Sequence, residues 1–233
     1  MAAFAQAGHA LILAFGVTND ILTQVETVCQ FVGMATESDL FETLELGEAL
    51  PDAPFSELHH RRIDVPIEVV WQSALDVTAN EVRTLMPLFV LRGLPTRLMG
   101  KRPALPTGEQ PLLDLFINEG FVLLRKDPHP VDGRAALLFG AVGKFWAVAH
   151  NQPTVFDNAE DFLAFDEPDY AKTVCRVEAI AEGGYTRLET QTVIAGTDKA
   201  SNKKFKPYWM LIRGPSGLIR RSWLAAIDRR AQR

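Results

Sequence analysis

The chain has 233 residues, of which 47% are hydrophobic and 23% charged, a composition that excludes a disordered or fibrous protein. This length favours one domain with an appendage over two full domains. The net charge is −5, but residues 198–233 carry ten Lys/Arg against two Asp, so this tail is +8 and the remainder −13. The two cysteines, Cys29 and Cys175, match no disulfide framework or metal spacing, so we expect a soluble protein of a reducing compartment, by default the cytoplasm.

The first 33 residues contain no Lys or Arg, although residues 10–17 are strongly apolar. A secretory signal needs a positively charged start, and a membrane span needs about 18 consecutive apolar residues, so this segment is at best an amphipathic helix. Met34 opens an acidic stretch, and one hypothesis is that translation begins there. We predict an N-terminal extension over 1–33, an acidic linker over 34–56 and one domain over 57–233.

The domain is predicted to begin with a strand and helical pieces. Residues 58–65 form the strand, which ends at Pro66 because proline cannot donate to a sheet ladder. A short helix follows, with apolar residues at helical spacing: Ile67, Val70, Trp71, Ala74 and Leu75. Thr78 and Glu81 form a capping box for a further helix, whose apolar face is Val82, Leu85, Met86, Phe89 and Val90 and which Pro87 should kink. Residues 93–111 are predicted to form a loop.

A helical piece is predicted at 112–119, and Gly120 closes it. After it the pattern changes from helical to strand-like. Five strands are predicted, at 121–126, 135–142, 143–149, 171–181 and 185–195. Asp157 is expected to cap a short helix holding Phe162 and Phe165. A hairpin turn at 182–184 joins the last two strands, along which hydrophobicity alternates.

A long C-terminal helix is predicted from one continuous apolar stripe, formed by Phe205, Trp209, Ile212, Ile219, Trp223 and Ile227. The stripe continues across Gly214 and Pro215, so we expect a kink where Pro215 removes a hydrogen bond. The basic residues of the tail, Arg220 among them, are predicted to lie on the other side of this helix.

Three segments resemble the SRPBCC or START-like superfamily. Residues 61–71 look like its strand-to-helix opening, with a Pro and an anchoring Trp, 186–192 like its penultimate strand, and 208–221 like the terminal helix of uncharacterised bacterial members. The resemblance implies an α+β helix-grip fold, in which a curved antiparallel sheet grips a long C-terminal helix. The superfamily includes lipid transfer proteins, polyketide cyclases, plant hormone receptors and oxygenase subunits, and the fold alone does not select among them. Nothing in the sequence supplies a Rieske cluster or an iron facial triad.

No catalytic or metal motif is present in the sequence. His59 and His60 are adjacent on a strand and therefore point to opposite faces. There is no phosphate-binding loop and no nucleophile elbow, and the cysteines have no evident neighbouring base. The weak catalytic candidates are His60, Asp166 and Tyr170, although the acidic segment around Asp166 also has the composition of a turn. No metal or cofactor is expected.

Small side chains on one face of the last two strands suggest a ligand cavity beneath the helix. The predicted lining residues are Thr173, Cys175, Val177, Leu188, Thr190, Thr192, Trp209 and Ile212. The alternative is a filled core, in which Trp209, Trp223, Phe139 and Phe145 occupy the space. The opposite face, with Lys172, Arg176, Glu178, Arg187, Glu189 and Gln191, is expected to be solvated.

The leading functional hypothesis is the binding or carriage of a hydrophobic small molecule, such as a lipid, isoprenoid or polyketide. The second is an enzyme of the cyclase or dehydratase kind. The third is an interaction module whose basic terminal helix docks on an acidic partner or a membrane. We expect no nucleic acid partner and no stable membrane insertion, whereas peripheral membrane contact stays open.

Overall fold

The computed structural model describes residues 44–85, 108–147 and 153–233, and within these residues five strands form one antiparallel sheet in the order β1-β5-β4-β3-β2. The strands are β1 (Phe55–Ile63), β2 (Val122–Lys126), β3 (Arg134–Gly143), β4 (Ala171–Glu182) and β5 (Tyr185–Gly196). The helices are α1 (Leu46–Ala49), α2 (Ile67–Asp76), α3 (Leu112–Asn118), α4 (Ala159–Ala164) and α5 (Lys199–Ala231). A curved sheet with a long C-terminal helix confirms the predicted α+β helix-grip fold.

Helix α5 runs for 33 residues across one face of the sheet, which we call the inner face, and packs on β1, β5, β4 and α2. The apolar stripe is confirmed, because Phe205, Trp209, Trp223 and Ile227 are buried. The helix is continuous through both prolines within it, and the kink at Pro215 stays a prediction. No helix of the described residues could cross a bilayer.

Both ends of α5 are fastened by polar contacts. At the N-terminus, the Asp198 carboxylate accepts hydrogen bonds from the backbone N–H groups of Asp169 (2.8 Å) and Ser201 (2.7 Å). These bonds stabilise the charged form and lower the pKa of Asp198 to about 2. Near the C-terminus, Arg61 of β1 donates to Asp228 at 2.6 Å. The helix is therefore held to the sheet beyond its apolar stripe.

A hairpin turn, a helix end and a capping box agree with the predictions from the sequence. The hairpin between β4 and β5 has a two-residue loop, Gly183 and Gly184, with φ of +53° and +105°, which glycine adopts without strain. Helix α3 ends as predicted, since Gly120 has φ of +92° and the Phe121 N–H bonds the Phe116 carbonyl. The capping box of Thr78 and Glu81 is also confirmed, although it begins a 3-10 turn.

Three local predictions are wrong. Residues 144–147 form a turn and not a strand, because β3 ends at Gly143, opposite the first residue of β4. Asn158, not Asp157, caps α4, since its side chain accepts from the Asp161 N–H. The first strand lies at Phe55–Ile63 and so starts three residues earlier than expected.

Some predicted features fall outside the described residues. They are the N-terminal extension, the acidic segment up to residue 43, the loop at 93–107, residues 148–149, and Met86, Pro87, Phe89 and Val90 of the second helix. The described part of the predicted linker, 44–54, carries helix α1, whose Leu46 and Ala49 are buried. The compact unit of the structure accordingly includes Leu44–Arg233.

The face of the sheet opposite α5, the outer face, is not solvated as predicted. Helices α1 and α4 cover parts of it, and Lys172, Glu178 and Glu189 are buried there. Burial lowers the pKa of Lys172, whose ammonium group donates to the carbonyls of Leu163 and Phe165. These charges are tolerated because each has a hydrogen-bonding or ionic partner.

The cap of α5 yields a pH-dependent prediction. Because the folded pKa of Asp198 lies below its ordinary value of 3.8, its charge stabilises the fold above about pH 4, and this stabilisation is lost as the pH falls towards about 2. We expect Asp198→Ala to unfold at a lower urea concentration than wild type at pH 7, and this deficit to shrink between pH 4 and 2.

The matched control is Asp198→Asn, which keeps a good N-cap without a titrating group. Its stability relative to Asp198→Ala should not change with pH, since the other carboxylates titrate alike in both variants. A constant gap between wild type and Asp198→Asn from pH 7 to 2 would contradict the assignment.

Candidate functional site

An apolar cluster lies at each end of the space between α5 and the inner face. One contains Trp223, which stands 6.4 Å from the ring of Phe139. The other contains Phe205 and Trp209, with Phe55 of β1 packed against the Phe205 ring at 5.1 Å. The large aromatic residues that the filled-core alternative invoked therefore occupy the two ends of this space.

Polar side chains meet between these clusters. The strand register sets Glu57 opposite Thr192, Thr192 opposite Cys175, and His59 opposite Thr190. The strand period of two puts all five side chains on the inner face. We call these residues together with Arg220 of α5 the polar layer.

Arg220 is the one member of the polar layer that comes from the helix. Its guanidinium donates to Thr190 Oγ1 at 3.3 Å, to Ser216 Oγ at 3.4 Å and towards Cys175 Sγ at 3.9 Å. All three contacts are long, all three partners are neutral, and no carboxylate of the described residues forms an ion pair with it. A guanidinium has five N–H donors, so Arg220 can make further and stronger hydrogen bonds.

Glu57 has an acceptor that lacks a donor, whereas Arg220 has donors to spare. Its side chain is only 9% exposed, and Oε1 lies 3.0 Å from Nε2 of His59. The other oxygen, Oε2, is buried and has no hydrogen-bond partner in the structure. A buried carboxylate oxygen without a donor is costly, so this position favours any group that can donate to it.

Helix and sheet approach closely at this point because Gly217 has no side chain. A Cβ atom at this position would stand 2.5 Å from Glu57 Oε1 and 3.1 Å from His59 Nε2. The absence of a side chain on Gly217 thus makes room for the Glu57 carboxylate beneath the helix.

The predicted cavity residues lie on the inner face or on α5. Thr173, Cys175, Val177, Leu188, Thr190 and Thr192 are buried there, Trp209 belongs to the cluster of Phe205, and Ile212 is half-buried beside it. Their role in lining a ligand cavity stays a prediction.

The three weak catalytic candidates do not come together. His60 is exposed on the outer face of β1, and Asp166 is exposed before β4. The ring of Tyr170 packs against Phe165 at 5.2 Å and under the Lys144 ammonium at 4.6 Å. None of them contacts the polar layer, since the alternation of β1 directs His59, and not His60, towards α5.

Sequence reasoning missed Glu57 and His59, and it wrongly placed Arg220 on the side of α5 opposite the apolar stripe, whereas Arg220 turns inward to Thr190. A usable signal existed for Arg220, because it follows Trp209 and Ser216 by eleven and four residues and therefore falls on the helix side that carries the apolar stripe. For Glu57 and His59, the alternation from Phe55 to Ile63 indicates one face, but nothing in that pattern shows that the face is inward.

A second location, on the outer face, is a cleft of about 390 Å³ between α1 and β5. It is lined by Glu45, Leu46, Gly47, Leu50, Ala53, Ser56, Arg176, Gln191 and Val193. The guanidinium of Arg176 is already bound by Glu178 at 2.8 Å and by Gln191 at 3.1 Å. The buried Nε of Arg176 has no hydrogen-bond partner, so the cleft offers one unpartnered donor beside these bonds. No cluster of metal-ligating side chains occurs in the described residues.

Comparison with known proteins adds little to this picture. No family model and no curated protein matches the chain. Similar solved structures include the hypothetical protein jhp0584 from Helicobacter pylori, at 7% identity over 79% of this chain and 92% of that one (TM-score 0.37). TTHA0849 from Thermus thermophilus is 13% identical over 76% of this chain and 97% of that one, with a TM-score of 0.29. Ara h 8.0201 is 8% identical over 73% of this chain and 98% of that one, with a TM-score of 0.22. Scores of this size support no inference about function.

A double-mutant cycle tests the contact between Gly217 and Glu57. In a Glu57→Ala background, Gly217→Ala should raise the unfolding free energy by up to about 1 kcal/mol, because alanine favours the helix. In the wild-type background the same change should give no gain, because the new Cβ displaces the Glu57 carboxylate. Urea unfolding of the four proteins measures the coupling. An equal gain in both backgrounds would mean that Glu57 does not lie beneath the helix.

Proposed function

We propose that the protein binds a hydrophobic small molecule between the inner face and α5, and that the polar layer holds a neutral polar group of that molecule. The observation that supports this most directly is the presence in one polar layer of Arg220, whose three contacts are long, and of a buried, unpartnered oxygen on Glu57. Ligand classes that fit are lipids, isoprenoids and polyketides that carry a hydroxyl or amide group.

The charges of the polar layer favour a neutral group over an ionised one. A hydroxyl can donate to Glu57 Oε2 and accept from Arg220, which meets both needs. A carboxylate can only accept, and it would add a second negative charge near Glu57. An ammonium group can only donate, and it would meet the positive charge of Arg220.

The apolar body of the ligand would lie along the small residues between the two aromatic clusters. Thr190, Thr192 and Cys175 carry smaller side chains than Trp223 and Trp209. The middle of α5 is also less deeply buried than its ends, since Ile212 and Ile219 are only half-buried.

Catalysis receives no comparable support. The residues that the cyclase or dehydratase hypothesis requires, His60, Asp166 and Tyr170, lie away from the polar layer. We therefore propose binding or carriage as the function.

Probe binding tests the proposal. The neutral apolar dye N-phenyl-1-naphthylamine should bind the native protein at about one per chain, and Thr190→Trp should abolish binding without unfolding the protein, because the indole occupies the ligand space. Leu58→Trp is the matched control, since Leu58 is 49% exposed on the outer face, and it should bind the dye as wild type does.

A filled core gives the opposite result. The native protein would then bind no dye, and Thr190→Trp would overpack the interior and lower the unfolding free energy by about 1–3 kcal/mol. That pair of outcomes would refute the proposal.

Competition between ligands tests the role of the polar layer. At pH 7 we expect 1-dodecanol to displace the dye at a lower concentration than dodecanoate. Glu57→Gln, which removes the negative charge and adds a donor, should improve dodecanoate about tenfold relative to dodecanol, as expected for a hydrogen bond to a charged group. Arg220→Met should weaken both.

If the affinity for dodecanoate relative to dodecanol is the same in Glu57→Gln as in wild type, the polar layer does not hold the polar group of the ligand. Dye binding by the same variant would still show that the apolar site exists.

A further inference from the structure

The side of α5 that faces away from the sheet exposes large apolar residues. Met210 is 74% exposed, Leu211 75% and Leu218 51%. The same side carries Lys203, Lys206, Arg213 and Arg221, all exposed. These seven positions lie between residues 203 and 221 of α5. We call them the exposed face of α5.

The charge of this face is not compensated by its own helix. From residue 199 to residue 227 there are seven Lys/Arg and no Asp or Glu. Lys204 is paired with Asp169 at 2.6 Å, and Arg220 turns inward to Thr190. Lys203, Lys206, Arg213 and Arg221 form no ion pair among the described residues. A local positive surface thus stands on a chain whose net charge is −5.

We infer that the exposed face docks on the surface of an anionic phospholipid bilayer. Apolar side chains on a helix that lies in the interfacial plane enter the boundary between headgroups and acyl chains, and neighbouring Lys and Arg attract anionic headgroups. The exposed face has both components side by side, on a helix continuous over 33 residues.

Other polyanionic partners fit this face less well. Surfaces that bind single-stranded nucleic acid combine cations with aromatic stacking residues, and duplex-binding surfaces combine cations with polar side chains, whereas the exposed face sets its cations among three large apolar side chains. Protein interfaces are enriched in aromatic residues, Met and Arg and depleted in Lys, whereas two of the seven residues of this face are Lys and none is aromatic. The inference rests on exposure and charge alone, so it does not depend on ligand binding beneath the helix.

Vesicle sedimentation of the full chain tests the inference. We expect binding to phosphatidylcholine vesicles that contain about 30% phosphatidylserine, weaker binding in high salt, and little binding to pure phosphatidylcholine. Lys203→Gln with Lys206→Gln should lower the affinity about 30-fold, from the contribution of each cation near a charged bilayer. Met210→Asp with Leu211→Asp should lower it at least tenfold.

Val69→Asp is the matched control, because Val69 is 44% exposed on α2, and it should bind as wild type does. Circular dichroism melts check that all variants remain folded. Equal binding to neutral and anionic vesicles, or equal losses in Val69→Asp, would overturn the inference. Retention on heparin without any vesicle binding would also overturn it, and would assign the basic residues to a different polyanion.

Discussion

Helix α5 must bury an apolar stripe along most of its 33 residues, and the rest of the described structure depends on the sheet face that receives it. The apolar clusters around Trp223 and around Phe205 supply the burial. Directional contacts then set the position of the helix, through the Asp198 cap at one end and the ion pair of Arg61 with Asp228 near the other. An apolar stripe alone could slide along a sheet, whereas these bonds are satisfied in one position only.

This fixed position explains why a polar layer can exist inside the fold. With both ends of α5 held by aromatic packing and polar bonds, the middle of the helix need not contribute a continuous apolar contact. Gly217 allows the backbone to pass close over Glu57, and Arg220 reaches Thr190 from the next turn. The layer leaves one carboxylate oxygen unpaired, which is unfavourable for stability.

On the outer face, buried carboxylates form ion pairs with arginine side chains. Glu178 is bonded by both Arg134 and Arg176, and Glu189 lies within reach of Arg176 and Arg187. There each carboxylate is matched by a guanidinium, and the buried Nε of Arg176 is left without a partner. The two faces of one sheet thus differ: an ionic network joins the strands on the outer face, and a polar layer with an unpartnered carboxylate oxygen lies beneath the helix.

The sequence by itself determined the local elements, because periodicity, caps and turns are properties of neighbouring residues. The apolar stripe of α5, the Gly183–Gly184 hairpin and the Gly120 helix end were all readable from it. The cap at Asn158 was missed by one residue, because neighbouring polar residues compete for the same role. Only the tertiary structure decided which face of β1 points inward and which charges are buried. Burial and pairing arise between residues far apart in the chain, as Arg220 and Thr190 or Arg134 and Glu178 show, and a sequence pattern records side-chain alternation but not what lies across from it.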